Sequence, residues 1–400
     1  MLFSAIWIAG ASVQYIAGNI AIYTVGKILC SLCQGGYLTI APSYVSEVAP
    51  TKNRGAFLAA TNFFIVRATD RYAPGPKSYQ ILFAVQWGFA AIILTGAFFL
   101  PESADWCLGH LESSNDYDET ELRSSLFRLH GMSGTRADEE VRRLRISFAM
   151  DRQAEKVSGN MGYLDCFQGT NFRRTIISLT PPLIQVLCGA GFVLGYQSYF
   201  LQITGVAATR SYTITLINYG IFLLGSFLGL LAIERVGRRR MFLAGCYALC
   251  ISSLLIGIVG ESKSMGAKWI FLILISWWGL VYQATLGPIG WAIASESSSR
   301  RVRSKTLSMV TMVNAFGNLV FSFINPALIN PDKGNLGTKA GFVYGGIMVA
   351  CSLFSYFWIP EMRGRSYDEL DEMFGAKIKA RKFSQFMTPH RDQERSCTVK

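Results

Sequence analysis

Charge is scarce in this chain. Asp, Glu, Lys and Arg make up 16% of its 400 residues, where a soluble domain carries about a quarter. The stretch from Met1 to Gly26 contains no charge at all. Histidine is scarcer still. His110, His130 and His390 are the only three, and they lie far apart in hydrophilic stretches. No His, Cys or carboxylate cluster has metal-ligand spacing, and no nucleophile–base arrangement is visible. The chain is therefore read as a non-enzyme without a metal or cofactor. No basic stretch precedes the first apolar run, so a cleaved signal peptide is not expected. Six of the nine cysteines (Cys30, Cys33, Cys188, Cys246, Cys250 and Cys351) fall in apolar segments. Cys30 and Cys33 form a C-x-x-C without a second pair or a nearby His, so buried thiols are expected rather than a redox or zinc site.

What is present is apolar sequence in long blocks. Apolar residues are 51% of the chain and the mean hydropathy is +0.30. Segments such as 241–260 and 269–294 are each long enough to cross a hydrocarbon core of about 30 Å as helices. Spans are expected at 2–17, 20–41, 56–66, 80–100, 176–200, 212–233, 241–260, 269–293, 307–329 and 339–359. That makes an all-α polytopic membrane protein with the lipid bilayer as its surroundings. The net charge of +12 could suit nucleic acid, but its distribution says otherwise. Alternating the connections puts 29 of the 38 Lys and Arg on the side of the 101–175 loop and the C-terminal tail, with 8 opposite and Lys27 inside a span. This is the positive-inside pattern. It places the loop and tail in the cytosol, most simply of a plasma-membrane protein, and leaves no nucleic-acid patch.

One signature occurs twice. Ser46 and Glu47 are followed seven residues later by Arg54, and Ser295 and Glu296 seven later by Arg303. Each copy ends an apolar segment, and each is followed downstream by a Pro-Glu pair, Pro101-Glu102 and Pro360-Glu361. Such duplication marks a two-fold transporter scaffold. It divides the chain into an incomplete N-terminal bundle at 1–100, a linker loop at 101–175, a six-helix C-terminal bundle at 176–360 and a tail at 361–400. Charges at helix mouths can pair in one conformation and release in another. The gate candidates are Glu47, Arg54, Glu102, Glu234, Arg238, Arg239, Glu296, Arg303 and Glu361, with pairs expected to tie the two halves together. Within 103–172, acidic and basic residues at helical spacing suggest short amphipathic helices, and the chain beyond Phe374 is expected to be disordered. Pro288 should break its helix, with the freed carbonyls lining a cavity.

Several segments resemble the sugar porter family of the major facilitator superfamily. Pro360 to Phe374 is similar to that family's P-E-T-K-G-R-S-x-E-E-L-D-x-x-F ending. Pro42 to Gly55 resembles P-x-Y-x-S-E-x-A-P-x-x-x-R-G, Glu234 to Arg239 resembles D/E-R-x-G-R-R, and Gly287 to Trp291 resembles G-P-x-x-W. Pro101 to Trp106 is similar to P-E-S-P-R-W but lacks the second Pro and the Arg. The later helices look most like fungal α-glucoside (maltose-type) permeases. Trp291, where Tyr is common in that group, leans toward hexose carriers.

The resemblance implies a major facilitator two-bundle fold and sugar contacts at Gln185, Trp291, Asn314 and Asn318, with Tyr196 and Tyr199 beside them. These residue types suit a sugar. Amides bond hydroxyls in both directions, an indole covers the apolar ring face, and Asn314 and Asn318 share one helix face. Lys27 stands where the family usually has Arg, and its implied partner is an acid on the family's first helix. The implied activity is secondary active transport of an α-glucoside or hexose by alternating access, with the proton as coupling ion. The alternatives are a carrier of another polyol or a secondary metabolite, and a non-transporting remnant or sensor.

The repeat also serves as a ruler. The second half begins near Asn171, 125 residues before Glu296 (296 − 171), whereas only 46 residues precede Glu47. About 10 of the usual 12 helices are therefore expected, two missing upstream. Glu47 to Glu102 is 55 residues against 65 from Glu296 to Glu361. About ten residues are thus expected to be lost from the fifth family helix, near Val66 and Arg67.

Overall fold

The computed structural model describes residues 2–48, 87, 88, 90, 91, 93–95, 99, 102, 107, 108, 120–130, 134–158, 162–203, 208–262, 264–299, 302–330, 334–365, 367–383 and 386. All regular structure among these residues is helical. The expected span at 56–66 and the candidate Arg54 lie outside them, and of Glu47 and Glu234 only the backbone is described. The chain forms two units, one from 1–49 with 68–162, the other from 50–67 with 163–400.

In the first unit, α1 (Leu2–Ile16) and α2 (Ile20–Val48) pack as a hairpin. Gln14 is the polar seam of this pair. It is buried, and its Nε2 donates to the Gly26 carbonyl at 3.1 Å and to Cys30 Sγ at 3.0 Å. In lipid, such an amide holds two helices together because no water competes for it. Cys30 and Cys33 are buried, and every described cysteine is a free thiol. Two hydrophilic helices follow, α3 (Thr120–His130) and α4 (Thr135–Ser158). Leu122, Leu126 and Val141 enclose a small core with Cys107 and Leu108, and Arg123 pairs with Asp138 at 2.5 Å on the exposed side. The amphipathic spacing read from the sequence is thus realised as two helices.

The second unit opens with a 3-10 turn (Tyr163–Phe167) and α5 (Gly169–Leu187), followed by α6 (Ala190–Gly195), α7 (Gln197–Ile203), α8 (Ala208–Val236) and α9 (Arg238–Gly260). Then come α10 (Met265–Ala284), α11 (Leu286–Ser297), α12 (Arg303–Ile329), a second 3-10 turn (Gly337–Lys339) and α13 (Ala340–Trp358). The unit ends with α14 (Tyr367–Gly375) and a 3-10 turn (Ala380–Lys382). Five segments among the described residues are long and apolar enough to cross a bilayer: Gly169–Gly195, Arg238–Gly260, Gly266–Ser297, Arg303–Ile329 and Gly337–Trp358. The outward stripe of α9 shows the lipid-facing logic. Tyr247, Ile251, Leu255 and Ile258 recur at helical spacing and are exposed, while Phe242, Cys246, Leu249 and Ser253 on other faces are buried. The apolar part of α8 is shorter and runs from Ile217 to Ile233.

Local sequence explains the breaks. Gly189 adopts φ +85°, a left-handed turn that ends α5, and the Tyr344 ring lies where a side chain would go. Ser264 caps α10, its Oγ accepting from Ala267 N–H at 3.2 Å. The long segment Gly266–Ser297 is interrupted at Thr285 (φ −124°, ψ −83°), three residues before Pro288. This is the break expected from proline, which removes a donor and crowds the preceding turn.

Two boundaries differ from the sequence reading. The first helix of the second unit starts at Gly169 rather than 176, because Arg173 and Arg174 turn toward protein partners instead of ending the apolar run. The residues just beyond Phe374 are also ordered. Ala380 and Phe383 are buried, the Phe383 ring meets Phe374 at 5.1 Å, and Arg173 donates to the Ile378 carbonyl at 2.6 Å. Basic composition suggested disorder, but two aromatic anchors and a guanidinium close this segment onto α5.

Candidate functional site

Three packed helices, α5, α11 and α12, carry the polar set. Gln185 on α5 is buried, and its Nε2 donates to the Leu286 and Gly287 carbonyls at 2.7 and 2.8 Å. The amide of this neighbouring helix therefore sits on the first turn of α11, just past the break, and not on the Ala284 carbonyl that Pro288 leaves without its helical donor. Gln185 thereby fixes the broken helix and has spent its donor group on protein. Asn314 on α12 reaches the same helix lower down, donating from Nδ2 to the Pro182 carbonyl at 3.0 Å. Asn318, one turn on, is exposed and donates to the Asn314 carbonyl at 2.9 Å and to Asn314 Oδ1 at 3.1 Å. Trp291 on α11 is 7% exposed and packs with Ala294, Val310 and Leu179.

The structure thus brings Gln185, Trp291, Asn314 and Asn318 together around α5. It gives them unequal freedom: Asn318 is open, Asn314 half-buried, Gln185 committed and Trp291 mostly core. Tyr196 and Tyr199 lie farther along the chain, beyond the Gly189 turn, edge-on to one another at 6.5 Å. Between them sits Gln197, which sequence reasoning passed over. It is buried, and both of its carboxamide atoms lack a hydrogen-bond partner among the described residues. A second missed group is the Asn325–Tyr344 pair, where a buried tyrosine hydroxyl donates to the Asn325 amide oxygen. An Asn-Pro step and a Tyr within apolar helices were the available signals for that pair.

The charged candidates form two clusters at helix ends. Arg238 opens α9 and is 2% exposed; its Nη2 lies 3.2 Å from Glu296 Oε1, and its Nε lies 3.3 Å from Oε2. This pair braces α9 against the C-terminal end of α11. Both helices belong to the second unit, so the pair does not make the expected tie between halves. Arg303 begins α12 just beyond, and Glu102 lies in the first unit, where its carbonyl accepts from Ser125 Oγ at 2.6 Å.

Glu361 was read as an ion-pair partner and does something else. Its carboxylate accepts backbone N–H bonds from Arg238 (3.0 Å), Arg239 (3.2 Å) and Arg363 (3.2 Å). It is the N-terminal cap of α9, where unsatisfied N–H groups and the helix dipole favour a carboxylate. Gly237, at φ +98°, makes room: Glu361 Oε2 would lie 2.7 Å from a β-carbon there. Lys27 is exposed on α2, and no described carboxylate pairs with it.

A further arginine was absent from the sequence reading. Arg174 on α5 is 4% exposed, donates to the Ser297 and Ser298 carbonyls at 2.9 and 3.2 Å, pairs with Asp371 of α14 and lies 4.9 Å from the centre of the Phe374 ring. The conspicuous terminal motif is therefore a clasp that closes the end of α11 onto α5.

Comparison with known proteins agrees with this architecture. The profile of the family described as "Sugar (and other) transporter" matches residues 1–374, so the chain belongs to that family. It is 33% identical over 390 residues to the MFS transporter fmqE of Aspergillus fumigatus, covering 94% of this chain and 70% of that protein. It is 27% identical over 391 residues to the general alpha-glucoside permease of Saccharomyces cerevisiae, covering 93% of this chain and 61% of the permease. The maltose permease MAL31 of the same species is 28% identical over 389 residues, with the same two coverages of 93% and 61%. The chain thus spans about three fifths of the length of these permeases. Among solved structures, the proton:xylose symporter XylE superposes with a TM-score of 0.71 at 19% identity, covering 93% of this chain and 82% of that one. The fold is that of the major facilitator superfamily.

Proposed function

We propose that this chain is a secondary active transporter of sugars, of the α-glucoside or hexose class, working by alternating access with proton coupling. The observation that carries the proposal is the convergence of Gln185, Asn314, Asn318 and Trp291 on three mutually packed helices. Asn318 and Asn314 present amide groups that match sugar hydroxyls in both hydrogen-bonding directions. Gln185 keeps the broken α10–α11 segment in place. Relatives named as α-glucoside and maltose permeases, and a structural neighbour named as a proton:xylose symporter, support the substrate class and the coupling ion. The charged helix ends, Arg238 with Glu296 and the signature around Glu47 and Arg54, are proposed as the parts that rearrange between inward- and outward-facing states. Lys27 is proposed as the coupling-linked charge of the first bundle, and the plasma membrane with a cytosolic tail as the location.

The test is uptake of labelled maltose and glucose by cells expressing the chain, with and without a proton uncoupler. Saturable uptake that the uncoupler abolishes is expected; absence of uptake despite surface expression refutes the proposal. One observation favours a second reading. The 33% identical relative is named only as an MFS transporter, and most of the Trp291 indole is enclosed by apolar side chains. A carrier of a less hydroxylated metabolite would then show competition by such compounds and none by sugars.

A further inference from the structure

A cavity of about 320 Å³ lies where α8 ends and α9 begins, lined by Arg239, Arg240, Glu361, Arg363, Arg365 and Arg381. Outside the lining Glu369 pairs with Arg365 at 3.7 Å, which leaves a formal excess of three positive charges (5 − 2), and within it five guanidinium groups face one carboxylate. That carboxylate is already occupied by the three backbone N–H groups of the α9 cap. Arg239 donates from Nη2 to the Tyr356 carbonyl at 2.7 Å, while its Nη1 is buried without a hydrogen-bond partner among the described residues. Arg239 and Arg381 also share one aromatic ring, their guanidinium carbons lying 5.8 and 4.2 Å from the Tyr356 centroid. Arg381 covers Phe357 too, at 4.7 Å.

The guanidinium groups are held largely by carbonyls elsewhere in the fold, and Arg365 also by Glu369 at 3.7 Å. Arg363 donates to the Arg235 carbonyl at 2.6 Å, and Arg365 donates to the Phe383 and Phe386 carbonyls at 3.2 and 2.6 Å. A buried N–H donor without an acceptor is costly, and like charges this close repel. An anion in the cavity lowers the second cost directly. The cavity has room for more than a single small ion, since one water occupies about 30 Å³ of liquid.

Its position narrows the ligand further. The lining comes from the first turn of α9 and the segment after α13, beside the exposed aromatics Phe354, Tyr356, Phe357 and Trp358. Aromatic side chains concentrate at the level of lipid headgroups. The Lys and Arg asymmetry assigns this end to the cytosol, the side of the anionic leaflet.

We propose that this cavity binds an anion carrying two or more phosphate groups, clasped by Arg239 and Arg381, which steadies the α9 cap and the terminal segment. The proposal does not depend on which substrate is carried. Two sources share this chemistry, a phosphorylated inositol lipid and a soluble polyphosphate.

The experiment uses the full chain in nanodiscs of neutral phosphatidylcholine. Retention of added phosphatidylinositol 4,5-bisphosphate is read by native mass spectrometry, and binding of inositol hexakisphosphate by calorimetry. Binding of the lipid alone assigns the source to the membrane, and binding of the soluble anion makes it a soluble ligand site. Either is expected to weaken about tenfold in Arg239→Gln and in Arg381→Gln, and to survive Lys268→Gln. Arg381 is exposed and beyond the last long helix, so its replacement leaves helix packing intact, and a melting curve verifies this. The proposal is overturned if neither anion binds, if the double variant Arg239→Gln/Arg381→Gln binds as the unaltered chain does, or if Lys268→Gln weakens binding equally.

Discussion

Replacing Glu296 by Gln is the sharpest perturbation of the second bundle. The Arg238 and Glu296 side chains are 3% and 9% exposed, so neither charge is hydrated enough to stand alone. Removing one member of such a buried pair costs about 3–5 kcal/mol, because Arg238 stays desolvated after losing this carboxylate. The contacts between these two side chains run from 3.2 to 3.4 Å, longer than ideal charge-assisted bonds of about 2.8 Å. The loss should therefore fall at the lower end, about 3 kcal/mol. A unit of this size loses roughly 2–4 °C of melting temperature per kcal/mol, so Glu296→Gln should melt roughly 6–12 °C lower. The assay is thermal melting of the purified chain in detergent, alongside Arg238→Gln and the double variant. Two facing amides can hydrogen-bond without charge, so the double variant should lose much less than the two single losses added. A Glu296→Gln melting point within about 2 °C of the unaltered chain, or strictly additive losses, would refute the bracing role.

Two other expectations concern the frame of the site. Gly189→Ala forces a side chain into a left-handed turn, φ +85°, with Tyr344 Cγ 2.8 Å from the new β-carbon, and should cost at least about 1–3 kcal/mol in a melting assay. Arg174→Gln removes the bonds to Ser297, Ser298 and Asp371. Limited trypsin digestion should then cut at Lys377, Lys379 and Arg381 about tenfold faster, as expected when a locally stabilised segment opens.

Much of this architecture was legible in the amino-acid sequence because lipid simplifies the code. Long apolar blocks marked α1, α2 and the helices of the second unit, and Pro288 announced the break at Thr285. Gly287 to Trp291 and the Asn314–Asn318 spacing pointed to the helices that meet at α5. Contacts between residues distant in the chain were not legible. Arg174 and Asp371 are 197 positions apart, and nothing local in either segment names the other. Glu361 shows a second limit, since a carboxylate beside arginines reads as an ion pair while the geometry gives it backbone N–H groups. Gln185 shows a third. An amide in an apolar helix suggests a ligand contact, yet its donor serves the first-turn carbonyls of the neighbouring α11. The tail misled for a physical reason as well: basic composition lowers the odds of packing, but Phe374 and Phe383 supply the apolar anchors that outweigh it.

The central claim is that α5, α11 and α12 together hold a sugar. Equilibrium binding of labelled maltose and glucose to the purified chain, compared with Asn314→Ala and Asn318→Ala, tests it most directly. Saturable binding is expected, weakened by each substitution about 5- to 30-fold, the equivalent of a lost hydrogen bond of about 1–2 kcal/mol, with the melting point of Asn318→Ala unchanged. No sugar binding by the unaltered chain, or binding indifferent to both substitutions, would contradict the account.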